Sequence, residues 1–179
     1  MMRRIVILGP TGSGKTTFGK RLSALTGIPA TDLDDIFWLP DWKQRTTEEF
    51  YRLAEGATQG ESWIITGNYS KIRGAIWPKA DTFIWIDYPF LLVLWQLLRR
   101  SVMRVVDKRP VCNGNFETWR GLFLSKNSLI LWLFQSYWRR GREYAEIFEA
   151  GRNAPDVAYI RLRSRKETEA FLEGQSTVK

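Results

Sequence analysis

Five short apolar runs recur along the chain, each separated from the next by a longer stretch in which apolar residues return at helical spacing. The runs are Ile5 to Leu8, a short one near Pro29 to Leu33, Trp63 to Thr66, Thr82 to Asp87, and Val157 to Leu162. Between and after them, helices are predicted over roughly 15–26, 47–59, 70–76, 90–105, most of 117–150, and 165–173. Phe18, Leu22 and Leu25, for example, place one apolar stripe on the first of these. Strands that alternate with helices predict parallel βαβ units, an α/β fold with a five-stranded parallel sheet.

Two segments depart from a plain amphipathic pattern: Phe90 to Leu98, followed by Arg99-Arg100, and Ser128 to Phe134, followed by Arg139-Arg140. Both fall short of the roughly 18 consecutive apolar residues needed to span a bilayer. They are read as core helices, so no transmembrane segment and no peripheral membrane contact is expected, while a partner chain on these faces, hence an oligomer, stays open.

Composition narrows the chemistry. A chain of 179 residues with 44% hydrophobic positions suits one domain, 1–179, with a sizeable core. The single cysteine, Cys112, excludes an intrachain disulfide, and the absence of histidine removes the commonest metal ligand and acid–base group. Catalysis therefore falls to carboxylates, lysine, arginine and magnesium. The net charge of +8 is spread along the chain, which polyphosphate ligands account for as readily as nucleic acid does. Met-Met-Arg-Arg leads into an apolar run too short for a signal-peptide core, so a cytoplasmic location is expected.

Directly after the first run stand Gly9, Pro10, Thr11, Gly12, Ser13, Gly14, Lys15 and Thr16, then Thr17, matching GxxxxGK[ST] between a strand and a helix. Glycines let the backbone curl so that N–H groups converge on phosphate oxygens. Lys15 adds charge near the outer phosphates, Thr16 offers a hydroxyl to Mg²⁺, and the positive end of the following helix faces the anion. ATP and Mg²⁺ are the expected ligands; the plainer reading is a glycine-rich turn with no ligand.

In an open parallel sheet, ligands sit beyond the carboxyl ends of the strands. That rule selects Asp32-Leu-Asp34-Asp35, Thr66-Gly-Asn68-Tyr69, Asp87-Tyr-Pro89 and Arg163-Ser-Arg165 as well as the glycine loop. Asp34 is the candidate to orient or deprotonate an acceptor hydroxyl, unless it is a surface acid capping the next helix; Asp32 and Asp35 rank below it. Asp87 is a candidate metal partner, and Arg73 a candidate grip on an anionic acceptor. Arg99 to Arg109 carries a cluster of cations that includes Arg100, Arg104 and Arg109 and breaks at Pro110, as a lid over polyphosphate requires; the plainer reading is a solvated basic face.

With these residues in place, the chain resembles the P-loop kinases of the adenylate-kinase-like group, and within it bacterial proteins called adenylate kinase or DNA topology modulation protein. The likeness runs through Gly9 to Thr16, Leu33-Asp34, Phe37-Trp38, Asp41-Trp42, Gly67 to Arg73, Trp77-Pro78, Ala80 to Thr82, Asp87 to Pro89, Asn113-Gly-Asn115 and Leu162 to Ser164. It implies a three-layer P-loop NTPase fold with sheet order 2-3-1-4-5 and a lid at about 100–116. It further implies ATP on the glycine loop, an acceptor between Asp34 and Gly67-Asn68-Tyr69, and Arg163 to Arg165 near the adenine. The expected activity is transfer of the γ-phosphate of ATP to a small-molecule acceptor. A nucleotide-binding module with little turnover is the alternative, and nucleic-acid binding is the least expected. One position departs from the family: Thr66 stands where an aspartate typically closes the third strand. Magnesium affinity is therefore expected to fall about tenfold or more, through loss of roughly 1.5–3 kcal/mol, unless Asp34 or Asp87 compensates.

Overall fold

The structure, a computed structural model, describes residues 2–123 and 128–176. Its five strands are β1 (Arg4–Leu8), β2 (Ala30–Asp32), β3 (Trp63–Thr66), β4 (Thr82–Ile86) and β5 (Ala158–Leu162), all parallel in the order β2-β3-β1-β4-β5. The helices are α1 (Lys15–Thr26), α2 (Leu33–Phe37), α3 (Thr47–Gly56), α4 (Arg73–Ile76), α5 (Phe90–Val106), α6 (Trp119–Phe123), α7 (Leu129–Ala150) and α8 (Arg165–Ser176).

Alternation along the central strand builds two cores. Val6 and Leu8 face a cluster with Phe50, Ile65, Ile76, Trp85 and Tyr144, whereas Ile5 and Ile7 face Phe18, Leu22, Ile84, Leu97, Leu133 and Leu172. Helices thus cover both faces, which is why β1, β3 and β4 read as continuous apolar runs. α7 contributes Leu133 to one core and Tyr144 to the other.

The five strands lie where the apolar runs place them, with Asp87 just past β4. Three local features differ from the reading of the sequence. The stretch 70–76 divides into a 3-10 turn, Ser70–Ile72, and α4. The predicted helix over 117–150 is carried by α6 and α7, and its residues 124–127 lie outside the described residues. α2 and a 3-10 turn at Pro40–Trp42 were not foreseen, being too short to display a period. α2 starts because Asp32 caps it, its carboxylate accepting from Asp34 N at 3.1 Å.

The two unusual apolar segments are core on one side only. Val93, Leu97 and Leu133 are wholly buried, whereas Leu91, Trp95, Phe134 and Trp138 are exposed. Among the described residues, no helix is long and apolar enough to cross a membrane.

Candidate functional site

β1 delivers the chain into the glycine loop, whose backbone requires glycine at three points. Gly9, Gly12 and Gly14 have φ of 150°, 82° and 92°. A Cβ on Gly9 would lie 2.7 Å from Ile86 O, and one on Gly12 would lie 2.8 Å from Leu97 Cβ. The loop is pressed against β4 and α5 and leaves its other side as a cradle. Lys15 folds back over it, Nζ donating to Gly9 O at 2.9 Å and Pro10 O at 2.8 Å. Burial pushes the Lys15 ammonium down to about 8, with Asp34 and Asp32 opposing that shift and Arg140 and Arg100 adding to it. Ser13 Oγ, Thr66 Oγ1 and Asn68 Oδ1 are enclosed here without a hydrogen-bond partner among the described residues. Asn68 also reaches the loop, its amide donating to Gly9 O. A loop held in shape by its glycines, a desolvated cation and the unsatisfied hydroxyls of Ser13 and Thr66 together fit a polyphosphate.

The carboxylate beside Thr16 is Asp32. Thr16 Oγ1 donates to Asp32 Oδ2 at 2.5 Å, so a hydroxyl and a carboxylate meet at the end of the cradle. This pair fits Mg²⁺, which takes few protein oxygens and completes its shell with phosphate and water. Two expectations change as a result. Thr66 pairs in register with Asp32, so the negative charge stands on β2 instead of β3. Thr66 itself is buried, and a Cβ on Gly19 would lie 2.6 Å from its methyl, so its place is packing against α1. Asp87 is engaged elsewhere: its Oδ2 accepts from Arg161 Nε at 2.8 Å and Nη2 at 2.6 Å, and that guanidinium lies 4.2 Å over Trp85.

Asp34, in the first turn of α2, keeps an open face at the mouth of the site while protein walls the remainder. Tyr69 OH donates to its Oδ1 at 2.6 Å. Partial burial, followed by the charge of Asp32, raises the Asp34 carboxyl above its ordinary range, against the pull of Tyr69, Lys15 and Arg100. Tyr69 is fixed in turn by Phe37 and Phe50, at ring-centroid distances of 4.7 and 5.0 Å. A carboxylate with an elevated pKa, held by a phenol and open on one side, is equipped to accept a proton.

The arginines separate into tethered and free. Arg73 is paired with Glu143 and lies 4.6 Å over Trp77, so it is not the free grip expected of it. Arg104 Nη1 donates to Glu117 Oε1 at 2.8 Å, and Arg109 pairs with Asp107 at 2.7 Å. Arg100 has an enclosed Nε without a partner among the described residues, and burial lowers its guanidinium pKa. Arg100, Arg104, Arg109, Arg99 and Arg165 line one cleft of about 520 Å³ with Trp95 and Gln96. In the amide orientation that satisfies both neighbours, Gln96 donates to Gly12 O at 2.8 Å and accepts from Arg165 Nη2 at 2.9 Å. Gln96 thus joins the lining of the cleft to the glycine loop. Arg163, in contrast, is not among the cleft's lining residues; its backbone N–H donates to Glu167 at 2.8 Å.

Two residues gain weight from the structure. Asp32 was ranked low because its role depends on β2–β3 register. Arg140 was seen only as one of a pair after an apolar run; α7 carries it to within electrostatic reach of Lys15, beside Tyr144.

No family model matches the chain. Among solved structures, a shikimate kinase from Bacteroides thetaiotaomicron superposes with TM-score 0.55 and 16% identity, covering 97% of this chain and 96% of that one. A sugar kinase from Janibacter sp. HTCC2649 gives TM-score 0.52 and 19% identity, covering 97% and 92%. An adenylate kinase from Thermotoga petrophila is 54% identical over 37 residues, 21% of this chain; the match spans only 17% of that relative's length. The chain has the fold of the P-loop kinases of the adenylate-kinase-like group.

Proposed function

We propose that the protein is an ATP-dependent phosphotransferase that moves the γ-phosphate of ATP to a small acceptor. The observation that carries this reading is a convergence at the carboxyl ends of three adjacent strands. There the glycine cradle with Lys15, the Thr16–Asp32 pair and the Tyr69-bound Asp34 stand together. Backbone N–H groups of the glycine loop and the Lys15 ammonium would hold the phosphates, and Thr16 with Asp32 would hold Mg²⁺, whose charge would offset that of the phosphates. Asp34 orients the acceptor hydroxyl and takes its proton. Arg100 balances charge that spreads over the transferred group, joined by Arg104 and Arg109 only on release from Glu117 and Asp107, and Arg165 with Trp95 borders the nucleotide.

Support also comes from the fold neighbours, several of which are kinases of small hydroxyl compounds by name. The acceptor here is a nucleoside, a nucleoside monophosphate or another hydroxyl metabolite. The alternative, a module with little turnover, rests on Thr66 and on the aromatic helical region 116–138, and the Asp32 carboxylate beside Thr16 weighs against the first of these. Calorimetric titration with ATP and Mg²⁺, followed by ADP release across nucleosides, nucleoside monophosphates, sugars and hydroxy acids, tests the reading. Acceptor-stimulated release is expected; nucleotide binding that no acceptor converts to turnover would overturn it.

A further inference from the structure

Two left-handed turns, far apart in sequence, are hydrogen-bonded to one another beside the helix that carries Asp34. One contains Cys112, Asn113 and Gly114, with φ of 35°, 63° and 83°. It is closed by Val111 N to Asn115 O at 2.7 Å and Asn115 N to Val111 O at 2.8 Å. The other contains Asp41 and Trp42, with φ of 61° and 54°. Residues with a Cβ avoid this region, and such conformations persist where surrounding contacts over-determine them.

The contacts that do so come from two asparagine side chains. Asn115, 4% exposed, accepts from Trp42 N at 2.7 Å through Oδ1 and donates through Nδ2 to Leu39 O at 2.9 Å and Cys112 O at 2.6 Å. Asn113 Nδ2 donates to Asp35 O at 2.7 Å and Trp38 O at 2.5 Å. Trp42 Nε1 completes the join by donating to Phe116 O at 3.1 Å. An amide suits position 115 because it accepts and donates at once, which neither a carboxylate nor a hydroxyl of that reach does in the same geometry.

The location gives the join its consequence. Asp35 O belongs to the last turn of α2, where carbonyls lack partners within the helix. α2 is therefore fastened at both ends: by the Asp32 carboxylate at its start and by Asn113 at its finish. Only five residues long, it has little rigidity of its own. The lid turn is anchored on its other side by Arg104 to Glu117.

We propose that Asn113 and Asn115 are positioning residues for phosphoryl transfer: they bolt the lid turn to the Asp35–Trp42 segment and so hold the helix bearing Asp34 in its working place. The catalytic consequence rests on the phosphotransferase reading; the join itself does not. The acceptor side of the site is thereby built partly by the lid, and lid and α2 move as one body.

Hydrogen exchange without nucleotide tests the join directly. In Asn115→Ala the Trp42 amide, and in Asn113→Ala the Trp38 amide that closes α2, exchange faster by about fivefold for each bond lost. Asn115→Asp keeps an acceptor for Trp42 N, so that amide stays slow while the donors to Leu39 O and Cys112 O are gone; this variant also serves if the alanine form does not fold. Unchanged exchange at Trp42 in Asn115→Ala and at Trp38 in Asn113→Ala, or faster exchange at Trp42 in Asn115→Ala with α2 unaffected there and in Asn113→Ala, would overturn the proposal. The function is read with MgATP, water serving as acceptor where the panel finds no better one. Per nucleotide site counted by calorimetry, kcat falls about fivefold in the alanine variants while KM for MgATP changes less than about twofold. A purely structural role would lower the number of sites and leave kcat per site intact, and a parallel rise in KM would place the turn in the nucleotide site instead. If wild-type protein binds no MgATP, the phosphotransferase reading fails and the exchange result still stands or falls on its own.

Discussion

The two halves of the site are constructed in opposite ways. The nucleotide half is one uninterrupted stretch, Gly9 to Thr16, whose shape follows from its own glycines and from the strand and helix that flank it. The proposed acceptor half would be assembled from α2, the Asn68-Tyr69 turn and the 111–115 turn, joined by Tyr69 to Asp34, Asn113 to Asp35 and Asn115 to Trp42. A contiguous motif tolerates drift elsewhere in the chain, since its geometry is local. An assembled site is only as well placed as its longest-range contacts. Binding of nucleotide and transfer of phosphate are therefore expected to be separable by substitution, and each variant below tests that separation.

Lys15→Ala has the largest expected effect because it acts on both halves at once. The cradle loses the ammonium that folds over it, and turnover falls by about 10²–10³ together with MgATP affinity, read by ADP release and calorimetry. Asp34→Asn is expected to lower turnover about 10²-fold or more while MgATP binding stays near wild type, because the proton acceptor goes and the cradle remains. If Asp34→Asn weakened MgATP binding as much as Lys15→Ala does, the two halves would not be independent.

Asp32→Asn lies on the boundary between them. Asparagine still caps α2, so the helix persists, but the charge beside Thr16 is removed. Magnesium dependence of ATP binding should shift to about tenfold higher metal, the loss of roughly 1.5 kcal/mol or more for one charge-assisted contact. Thr66→Asp is the companion variant. A carboxylate at this buried position would face Asp32 across the register and press on Gly19, so it is expected to lower the thermal midpoint without raising turnover. A gain in turnover would restore the family's third-strand arrangement as the relevant one.

What could be seen in the sequence follows the same division. Strands buried on both faces leave unbroken apolar runs such as Ile5 to Leu8 and Trp63 to Ile65, so sheet and glycine loop were legible together. The Thr16–Asp32 contact was not legible, because nothing in Asp32-Leu-Asp34-Asp35 says which acid faces Thr16; that depends on Asp32 capping α2 and pairing across from Thr66. Asp87 and Arg73 were overvalued for a related reason. Their partners, Arg161 and Glu143, lie 74 and 70 positions away, and a charge reads as free until the fold brings its counter-ion. Arg140 was hidden in the opposite sense, as one cation of a pair on a long helix.

The smallest effect concerns protons, and it isolates the nucleotide half. In the free protein Lys15 is held down to about 8, so above that pH much of it is neutral. Phosphates brought next to it favour the charged form and raise its pKa. Between pH 8 and the ordinary lysine range, MgATP binding should then take up as much as one proton, and affinity should fall with rising pH by at most about tenfold per unit. Below pH 7 the lysine is already protonated and the uptake at this site vanishes. Calorimetry in buffers of different ionisation enthalpy measures the uptake directly. Lys15→Arg keeps the charge at every pH used and should abolish it, whereas Asp34→Asn should leave most of it in place. Equal uptake in wild type and Lys15→Arg would mean that another group titrates, and that Lys15 does not meet the phosphates.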